Sequence, residues 1–503
     1  MSYQAQSLVQ SVDWLAIAPP TIAAVVGLVV LVTDLFVGDN RKALLGWVSV
    51  AGLAVSALML LPLLDGDRST FCLTGDAAVC SYTADRFTLV IQFLVLGGAL
   101  VAALLSMTTL KDANRELPEG EFWFLLLSSA AGAALLPASR DLATLIVALE
   151  VASLPAFALV GIKHGDRKSS EAALKFFLSS VTATAVSLMG VSFVYASTGT
   201  LYLTEIATRI ENVDDQLQTL AQAGVVLTLV GFAFKTAAVP FHFWVPDTYV
   251  GAPLPVAAYL SVVGKAVGFS GLILVTVIAL PSYADVWGPT LAALAALTMT
   301  VGNVGALRQQ STRAYSAVRL LAWSSVGQAG YLLVPIAAAA YSEDAEKAIG
   351  STVAYALMYA AVNLGAFAVA ALVARTKPLN RVSDYRGLYA SRPLAALVLG
   401  FFLLCLAGLP PGIIGLFAKV TVFSAAVDAG LGWLAVVMAV NVVIALFYYL
   451  QWTTLLFRAP EGEPETHRVP APLTAAIALT AVLGIALSGA PQLVLRFSDT
   501  GLF

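Results

Sequence analysis

A few ionisable side chains stand inside otherwise apolar runs of this sequence, where their types and spacing could support chemistry. Lys235 and His242 lie in "GFAFKTAAVPFHFWVPD" (residues 231–247), and Lys419 ends the stretch "LAGLPPGIIGLFAK". Lys265 lies in "YLSVVGKAVGFSG" and Glu150 in "LATLIVALEVASLPAF". Buried amines, carboxylates and imidazoles can take up and release protons without redox chemistry. This set of residues therefore indicates proton transfer.

The rest of the chain is strongly apolar. Of its 503 residues, 59% are hydrophobic and only 11% are charged, and the mean hydropathy is +0.87. Soluble domains usually carry about 25% charged residues, so the composition predicts an integral membrane protein. A net charge of −3 without a domain-scale basic cluster argues against nucleic acid as a partner.

About fourteen apolar runs are long enough to cross a bilayer, which takes roughly 20 residues of helix. The predicted fold is an all-α polytopic membrane protein with short polar loops. The first twenty residues carry no positive n-region, so the first apolar run is predicted to be a retained helix and not a cleaved signal. The spans are predicted to begin near Ala18, Leu44, Phe87, Glu121, Leu142, Glu171, Thr219, Leu254, Gly288, Leu320, Ile349, Pro393, Ala429 and Pro470.

The positive residues give these spans an orientation, because Lys and Arg in short loops are retained in the cytoplasm. Most of the 27 Lys and Arg residues fall in loops that follow odd-numbered spans. An even number of spans places both termini on one side, and the charge bias predicts that side to be outside the cytoplasm. The alternate loops and the tails carry only Arg68, Arg86, Arg140, Arg209, Lys347 and Arg496.

Four lysines fall within spans: Lys175, Lys235, Lys265 and Lys419. A charged side chain at mid-bilayer costs about 2.5–3.5 kcal/mol on insertion scales, so such residues normally face partners or water. Lys175 stands near the start of its span, where snorkelling to the headgroups explains it as well as a function does. Lys265 stands near the middle of its run, which favours a functional role.

Lys235 and Lys419 each lie close to prolines inside an apolar run. Proline has no N–H, so Pro240, Pro410 and Pro411 leave the carbonyls four residues earlier without their helical donors. In lipid such carbonyls need water or a polar side chain, so broken helices occur only in buried protein or wet cavities. A lysine beside each break fits a hydrated pathway, and a packing kink is the alternative at either site alone.

The two breaks fall in spans 7 and 12, five spans apart and therefore in opposite orientations, as in transporters built from inverted-topology repeats. The sequence thus predicts two inverted five-helix halves, spans 4–8 and 9–13, with discontinuous helices 7 and 12. The corresponding predicted domains are residues 1–120 (spans 1–3), 121–281 (first repeat), 282–457 (second repeat) and 458–503 (a cytoplasmic loop and span 14).

Glu150 is the one carboxylate in the middle of a long apolar run. Burial disfavours the charged form of a carboxylate and of a lysine, whereas bringing the two together favours both charges. If Glu150 pairs with Lys235, separating them would favour a neutral lysine and send a proton onward. The alternative is a protonated glutamate bonded to neighbouring backbone.

His242 and Asp247 follow Pro240, and the sequence allows two roles for each. His242 either relays protons near neutral pH or makes a structural hydrogen bond. Asp247 either caps the next segment or holds the turn together. Asp34, close to a predicted cytoplasmic boundary, fits a helix-end or packing role.

These residues stand in segments that resemble the N subunit of bacterial respiratory complex I, the type I NADH:quinone oxidoreductase, over almost the whole chain. The long central motif is the most specific part, and Lys265 stands near the place where related antiporter-like subunits tend to carry a histidine. The segments that carry the resemblance are "IVALEVASLPAFAL", "EAALKFFL", "FKTAAVPFHFWVPDTYVGAPLPVAAYLSVVGKAVGF", "LLAWSSVGQAGYLL" and "LAGLPPGIIGLFAK".

The resemblance implies a proton-pumping membrane-arm subunit in which Glu150 and Lys235 form a coupled pair, Lys265 is the central relay and Lys419 serves the exit half. It implies assembly with other membrane-arm subunits in the bacterial cytoplasmic (inner) membrane. NADH oxidation and quinone reduction, with FMN and iron–sulfur clusters, would take place in other subunits. The chain shows no dinucleotide fingerprint, phosphate loop or cysteine cluster, so no cofactor or metal of its own is expected. Lys175 and His242 complete the predicted site.

Two positions depart from the family pattern. Gln328 stands where many relatives carry a histidine, and Val318 where many carry a lysine beside Arg319. Glutamine cannot titrate, so any scheme that needs a protonatable group at position 328 is in doubt here. Gln328 could still order a chain of water by hydrogen bonding.

The loops carry weaker signals. Cys72 and Cys80 fall in a loop predicted to face the oxidising outer side, where they form either a disulfide staple or two free thiols. Cys405 is predicted to be a small core residue, and three cysteines exclude an iron–sulfur cluster held by this chain alone. The cytoplasmic loops "RTKPLNRVSDYRGLYASR" and "RAPEGEPETHR" either dock partner subunits or only solvate helix ends.

Other functions compete with this prediction. A subunit of a multi-subunit cation/proton antiporter would use similar lysines and breaks. A stand-alone solute transporter would need a substrate pocket at the breaks, which lysines line poorly for neutral solutes. A membrane scaffold gives no reason to keep Glu150 and mid-bilayer lysines at their insertion cost.

Overall fold

The computed structural model describes residues 12–113, 117–460, 468–498 and 501–503. This part of the chain is a bundle of α-helices with one short β-hairpin, which confirms the predicted all-α fold class. Within it, 12 helices are long and apolar enough to cross a membrane. Ala18–Asp34 and Pro393–Ala407 are shorter apolar helices, so every predicted span corresponds to a helix. Most of the loop "RAPEGEPETHR" and most of the N-terminal twenty-residue segment lie outside the described residues.

Eight helices precede the first break. Aspartates begin several of them, as side-chain N-caps usually do: Asp85 accepts from Thr88 N at 2.9 Å and Asp141 from Thr144 N at 2.8 Å. The helices are α1 Ala18–Asp34, α2 Ala43–Leu58, α3 Arg86–Asp112, α4 Glu119–Leu135, α5 Leu142–Val160, α6 Arg167–Thr198, α7 Leu203–Ile210 and α8 Gln218–Thr236.

A hairpin separates α2 from α3. Its strands, β1 Arg68–Cys72 and β2 Cys80–Ala84, pair antiparallel with Cys72 opposite Cys80. A disulfide joins these two cysteines, which confirms the staple, and Cys405 is a buried free thiol.

The remaining helices follow the first break. The span that contains α10 and α11 also contains two π-helical turns, Leu260–Gly264 and Leu274–Ala279. The predicted span starts agree with the helix starts within the roughly 2–4 residues typical of such boundaries. The helices are α9 Trp244–Gly251, α10 Leu254–Tyr259, α11 Lys265–Ile273, α12 Ala284–Leu307, α13 Ser316–Ala338, α14 Ala345–Ala374, α15 Leu388–Ser391, α16 Pro393–Ala407, α17 Ile413–Asp428, α18 Gly432–Leu456, α19 Ala471–Gly489 and α20 Gln492–Leu495.

Both predicted discontinuous helices are present. Ala237 (φ +70°) follows the end of α8 and Gly408 (φ +83°) follows the end of α16, each in the left-handed conformation that commonly terminates helices. Three residues later each chain segment has a cis proline, Pro240 in the first break and Pro411 in the second. The chain then resumes as α9 and α17.

The spans differ in how deeply they are buried. The α10–α11 span, α13 and α14 are almost wholly enclosed, whereas α2, α6, α12, α18 and α19 expose much of their apolar surface. Helices α12 and α13 pack closely because Gly302 faces the backbone of Gly327, where a Cβ would collide. Lys265 and Gln328 lie on these enclosed helices, whereas Lys235 lies on α8 and Lys419 on α17.

Candidate functional site

Lys235 lies in the last turn of α8, directly before the first break, and is 3% exposed. Its Nζ donates a 2.6 Å hydrogen bond to Ser153 Oγ on α5. The same atom lies 5.1 Å from the ring centroid of Phe176 and 5.7 Å from that of Phe157. Cation–π contacts stabilise a charged amine where water is scarce, so the pocket can hold an ammonium group without a direct counter-ion.

Glu150 lies on α5, one helical turn before Ser153. It is partly buried, and its carboxylate accepts a 2.6 Å hydrogen bond from Thr184 Oγ1 on α6. Within the described part of the chain Glu150 and Lys235 form no direct ion pair, so the contact considered from the sequence is replaced by one hydroxyl partner for each residue. Ser153 is the link between the two sites, because it lies on the same helix as Glu150 and accepts from Lys235.

Lys265 begins α11, immediately after the π-helical turn Leu260–Gly264. Its side chain is only 2% exposed, and none of the described residues accepts a hydrogen bond from its Nζ or forms an ion pair with it. Single-turn π-helices inside α-helical spans occur frequently at functional sites. An isolated buried amine is costly, so this position combines an unusual backbone with an uncompensated group.

Lys419 lies on α17, after the second break, and is 3% exposed. Its Nζ donates 2.8 Å hydrogen bonds to the carbonyls of both Leu406 and Ala407. These are the two carbonyls that Pro410 and Pro411 leave without helical donors. A polar side chain thus satisfies the stranded groups, as the sequence predicts.

The two lysine-and-break sites do not occupy equivalent positions. When the breaks are aligned on Ala237 with Gly408 and on Pro240 with Pro411, Lys419 falls opposite Thr248 and Lys235 opposite Leu406. Lys235 precedes its break and turns towards α5, whereas Lys419 follows its break and reaches back to it. Both lysines therefore lie close to a helix break, but they do not occupy equivalent positions relative to it.

Lys175 differs from the buried lysines. Its side chain is 46% exposed and pairs with Glu171 Oε1 at 2.7 Å and Asp247 Oδ2 at 2.8 Å. Asp247 Oδ1 also lies 3.7 Å from Arg319 Nη1. Asp247 thus joins α6, α9 and α13, in place of the capping role considered from the sequence.

His242 lies in the first break and is partly buried. Its Nδ1 is buried with no hydrogen-bond partner among the described residues, and its ring centroid lies 5.6 Å from that of Trp323. This nitrogen is therefore available for a further contact.

Gln328, on α13, bonds directly to protein groups. Its Nε2 donates to Tyr449 OH at 3.1 Å and to Leu406 O at 3.5 Å, and its Oε1 accepts from Tyr355 OH. Leu406 O also accepts from Lys419. Gln328 is thus tied to the second break through a shared carbonyl and needs no ordered water to fill its bonds.

A second polar series, missed by the sequence analysis, joins α13, α14 and the π-helical turn. Tyr359 OH lies 2.8 Å from Ser325 Oγ and donates to Ser261 O at 3.1 Å. Asn363 Nδ2 donates to Ser261 Oγ at 2.7 Å, and Tyr249 OH lies 3.5 Å from Ser325 Oγ. This series runs from α9 to the turn that precedes Lys265.

A cavity of about 550 Å³ opens on the face of the odd-numbered loops and is lined in part by Tyr249. Lys163 and the ion pair between Arg375 Nε and Asp112 Oδ2, 2.6 Å apart, also line it. Burial lowers the pKa of Lys163, and the nearby Asp166 partly opposes this shift. The cavity connects a charged rim with the polar series.

No group of three or more His, Cys, Asp or Glu side chains that could hold a metal ion occurs in the described part of the chain. The functional side chains are amines, carboxylates, hydroxyls and amides in a low-dielectric interior. Such groups can carry or order protons, and broken helices with buried charges are typical of membrane ion pathways.

This arrangement defines an antiporter-like membrane subunit, and comparisons with known proteins agree. The family model described as NADH:quinone oxidoreductase/Mrp antiporter matches residues 139–445. The chain is 74% identical to NADH-quinone oxidoreductase subunit N 2 of Streptomyces griseus, over 100% of this chain and 96% of that protein. It therefore belongs to the family of NADH-quinone oxidoreductase subunit N.

Solved structures show the same fold. Respiratory complex I from Thermus thermophilus contains a chain with a TM-score of 0.76 and 30% identity, covering 95% of this chain and 98% of that one. A chain of the Mrp complex from Dietzia reaches a TM-score of 0.78 at 22% identity, with 96% of both chains covered. The second likeness concerns the fold alone.

Proposed function

We propose that this chain is a proton-translocating membrane-arm subunit of an NADH:quinone oxidoreductase. The observation that carries the proposal is the set of three nearly fully buried lysines, Lys235, Lys265 and Lys419, placed at two helix breaks and a π-helical turn. A purely structural role would not explain lysines at these positions, because a charged side chain inside a membrane is costly. The full-length similarity to subunit N indicates the reaction in which these lysines take part.

In the proposed path, Glu150 modulates Lys235, Lys265 is the central relay and Lys419 serves the exit half. Moving the Glu150 carboxylate towards Lys235 would favour the charged amine, and moving it away would release a proton. In this structure Lys235 donates to Ser153 and Glu150 accepts from Thr184. Such a movement would replace these two hydrogen bonds by a direct contact between Glu150 and Lys235.

Two further residues stand at the edge of this path. His242, with one buried unbonded nitrogen, and Lys175, exposed and ion-paired, are proposed as accessory groups of the first half. The first repeat is proposed to span residues 121–281 and the second 282–457. The left-handed helix ends at Ala237 and Gly408, one before each break, support this division.

The redox chemistry is assigned to other subunits. NADH, FMN, iron–sulfur clusters and quinone would act elsewhere in the complex, and this chain would couple to them through other membrane-arm subunits. The exposed apolar faces of α2, α6, α18 and α19 suit lipid and neighbouring membrane subunits. The proposed location is the bacterial cytoplasmic membrane with both termini outside, as the positive loops favour.

The alternative is a subunit of a multi-subunit cation/proton antiporter. The Mrp likeness supports this reading only at the level of the fold, whereas the 74% identical relative carries the name of an NADH-quinone oxidoreductase subunit. Sodium dependence of transport would distinguish the two.

The test is purification of the tagged chain from native membranes in mild detergent, followed by mass spectrometry and an NADH:quinone reductase assay. Flavin and iron–sulfur subunits that co-purify with activity are the expected result. Recovery of antiporter subunits, or of the chain alone at native abundance, would overturn the proposal.

A further inference from the structure

We propose that Ser129 and Tyr259 are positioning residues that couple the acidic site on α5 to Lys265. This inference rests on the proposed function and adds to it a direct protein link between the first site and the central relay. The link consists of two hydrogen bonds. Tyr259 OH donates to Ser129 Oγ at 2.9 Å, and Ser129 Oγ donates to Ala152 O at 2.6 Å. The two bonds join α10, α4 and α5.

One end of the link lies on the turn of α5 that carries the first site. Ala152, whose carbonyl accepts from Ser129, lies in the chain between Glu150 and Ser153. Ser153 Oγ in turn accepts from Lys235 Nζ. A movement of α5 that changes the contact between Glu150 and Lys235 therefore also moves the Ala152 carbonyl.

Helix α5 is built to bend at this turn, and α4 is held against it there. Pro155 lies inside α5 and leaves the Val151 carbonyl without its helical donor. Sharp bends in helices commonly occur at such prolines. Gly132, on the same face of α4 as Ser129, lies so close to the backbone of Val151 and Ala152 that a Cβ would collide. The backbones of α4 and α5 therefore move together at this point, and Ser129 follows α5.

The other end of the link lies directly before the π-helical turn Leu260–Gly264. Tyr259 is the last residue of α10, and Lys265 begins α11 at the far end of the turn. A π-helix closes its hydrogen bonds one residue later than an α-helix, so tightening the turn would rotate Lys265 relative to Tyr259. A shift of α4 that reaches Tyr259 thus changes the direction of the Lys265 side chain.

Helix α14 holds the same turn from another side. Ser261 stands two residues after Tyr259, about half a turn of helix, and is bonded twice. Its Oγ accepts from Asn363 Nδ2 at 2.7 Å and its carbonyl accepts from Tyr359 OH at 3.1 Å. Because α14 is almost wholly enclosed, it gives the turn a fixed support. A shift of Tyr259 against Ser261 therefore alters the turn and does not carry the whole span along as a rigid body.

Helix packing alone does not explain the placement of this link. Ser129 and Tyr259 are each 1% exposed, whereas tyrosines of membrane proteins are enriched at the interfaces with water. Hydroxyl bonds between membrane helices commonly serve to hold the helices together. This pair of bonds, however, begins at the turn that carries the first site and ends at the residue before the turn that carries Lys265. The placement fits transmission between the two sites.

The first experiment removes the link by the smallest change. Tyr259→Phe deletes one oxygen atom and leaves Ser129 bonded to Ala152. In inverted vesicles, the rate of NADH-driven acidification per assembled complex should fall about fivefold, at the low end of the range for coupling between two sites. NADH oxidation should slow less, because the redox reaction takes place in other subunits. Unchanged acidification, or equal losses of acidification and oxidation, would overturn the link.

Two matched variants test whether the loss of any buried hydroxyl has the same effect. Tyr385→Phe removes a buried hydroxyl that donates to Asn380 Oδ1 at 2.7 Å in the loop between α14 and α15. Ser56→Ala removes a buried hydroxyl that donates to Pro19 O of α1 at 2.6 Å. Both variants should acidify the vesicles at the native rate. A loss in either as large as that in Tyr259→Phe would overturn the specific role of the link.

The second experiment asks whether the two residues act as one unit. Ser129→Ala alone should slow acidification at least as much as Tyr259→Phe. The double variant should be no slower than the slower single variant, because both changes break the same chain of bonds. Independent packing defects would instead multiply, so a double variant slowed by the product of the two single factors would overturn the link.

Lys265→Met in the same vesicles separates the link from the function on which it rests. The expected result is slow acidification in both Lys265→Met and Tyr259→Phe. Slow acidification in Lys265→Met with full acidification in Tyr259→Phe would overturn the link alone. Full acidification by assembled Lys265→Met would overturn the proposed role of this lysine and with it the proposed function.

Discussion

Replacing Lys419 by methionine should loosen the second helix break, whereas the same replacement of Lys265 should not. Both amines are nearly fully buried, at 3% and 2% exposure, so both variants gain equally from removing a buried charge. Only Lys419 donates to two carbonyls. Leu406 O keeps its 3.5 Å hydrogen bond from Gln328 Nε2, so Ala407 O is the carbonyl left without a side-chain donor. Because a buried unsatisfied carbonyl costs about 1–3 kcal/mol, Lys419→Met should be about 1–3 kcal/mol less stable locally than Lys265→Met.

Hydrogen exchange of backbone amides across residues 404–416 in the purified complex measures this difference. A difference of about 2 kcal/mol corresponds to roughly 30-fold more frequent local opening. Lys419→Arg, which retains charged N–H donors, should lie between Lys419→Met and the native protein. Equal exchange in Lys419→Met and Lys265→Met would refute the assignment of a structural role to the Lys419 hydrogen bonds.

Three smaller perturbations test neighbouring contacts. Ser153→Ala removes the bonded partner of Lys235 Nζ and should slow NADH-driven acidification per assembled complex; an unchanged rate would make that hydroxyl irrelevant to the path. Gln328→Leu leaves the hydroxyls of Tyr355 and Tyr449 short of partners and should lower the thermal inactivation temperature, while a rise would contradict the network. Asp247→Asn breaks exposed ion pairs worth less than about 1 kcal/mol, so its effect on inactivation should be small and should shrink at high salt.

The fold followed from the sequence because hydrocarbon thickness fixes span length and because proline removes a donor wherever it stands. These rules are local, so they located the spans and both breaks. The stranded carbonyls at Leu406 and Ala407 could even be named in advance, since they depend only on spacing from Pro410 and Pro411.

These local rules could not predict which side chains contact each other. Whether Glu150 touches Lys235 or Thr184 depends on how α5, α6 and α8 pack, and spacing within one helix cannot show it. The series through Tyr359 and Ser261 was missed because a tyrosine in an apolar run usually means a core residue. The helical spacing of Tyr355, Tyr359 and Asn363 along one face of α14 is the signal that could have found it.

The central claim is that buried lysines in this chain carry protons. It is tested most directly by the number of protons pumped per NADH oxidised in vesicles with assembled Lys235→Met complex, with the exposed loop variant Lys377→Met as the matched control. A lower proton yield in Lys235→Met, with a normal yield in Lys377→Met, is the predicted result. A full yield from Lys235→Met at native levels of assembly would contradict the account.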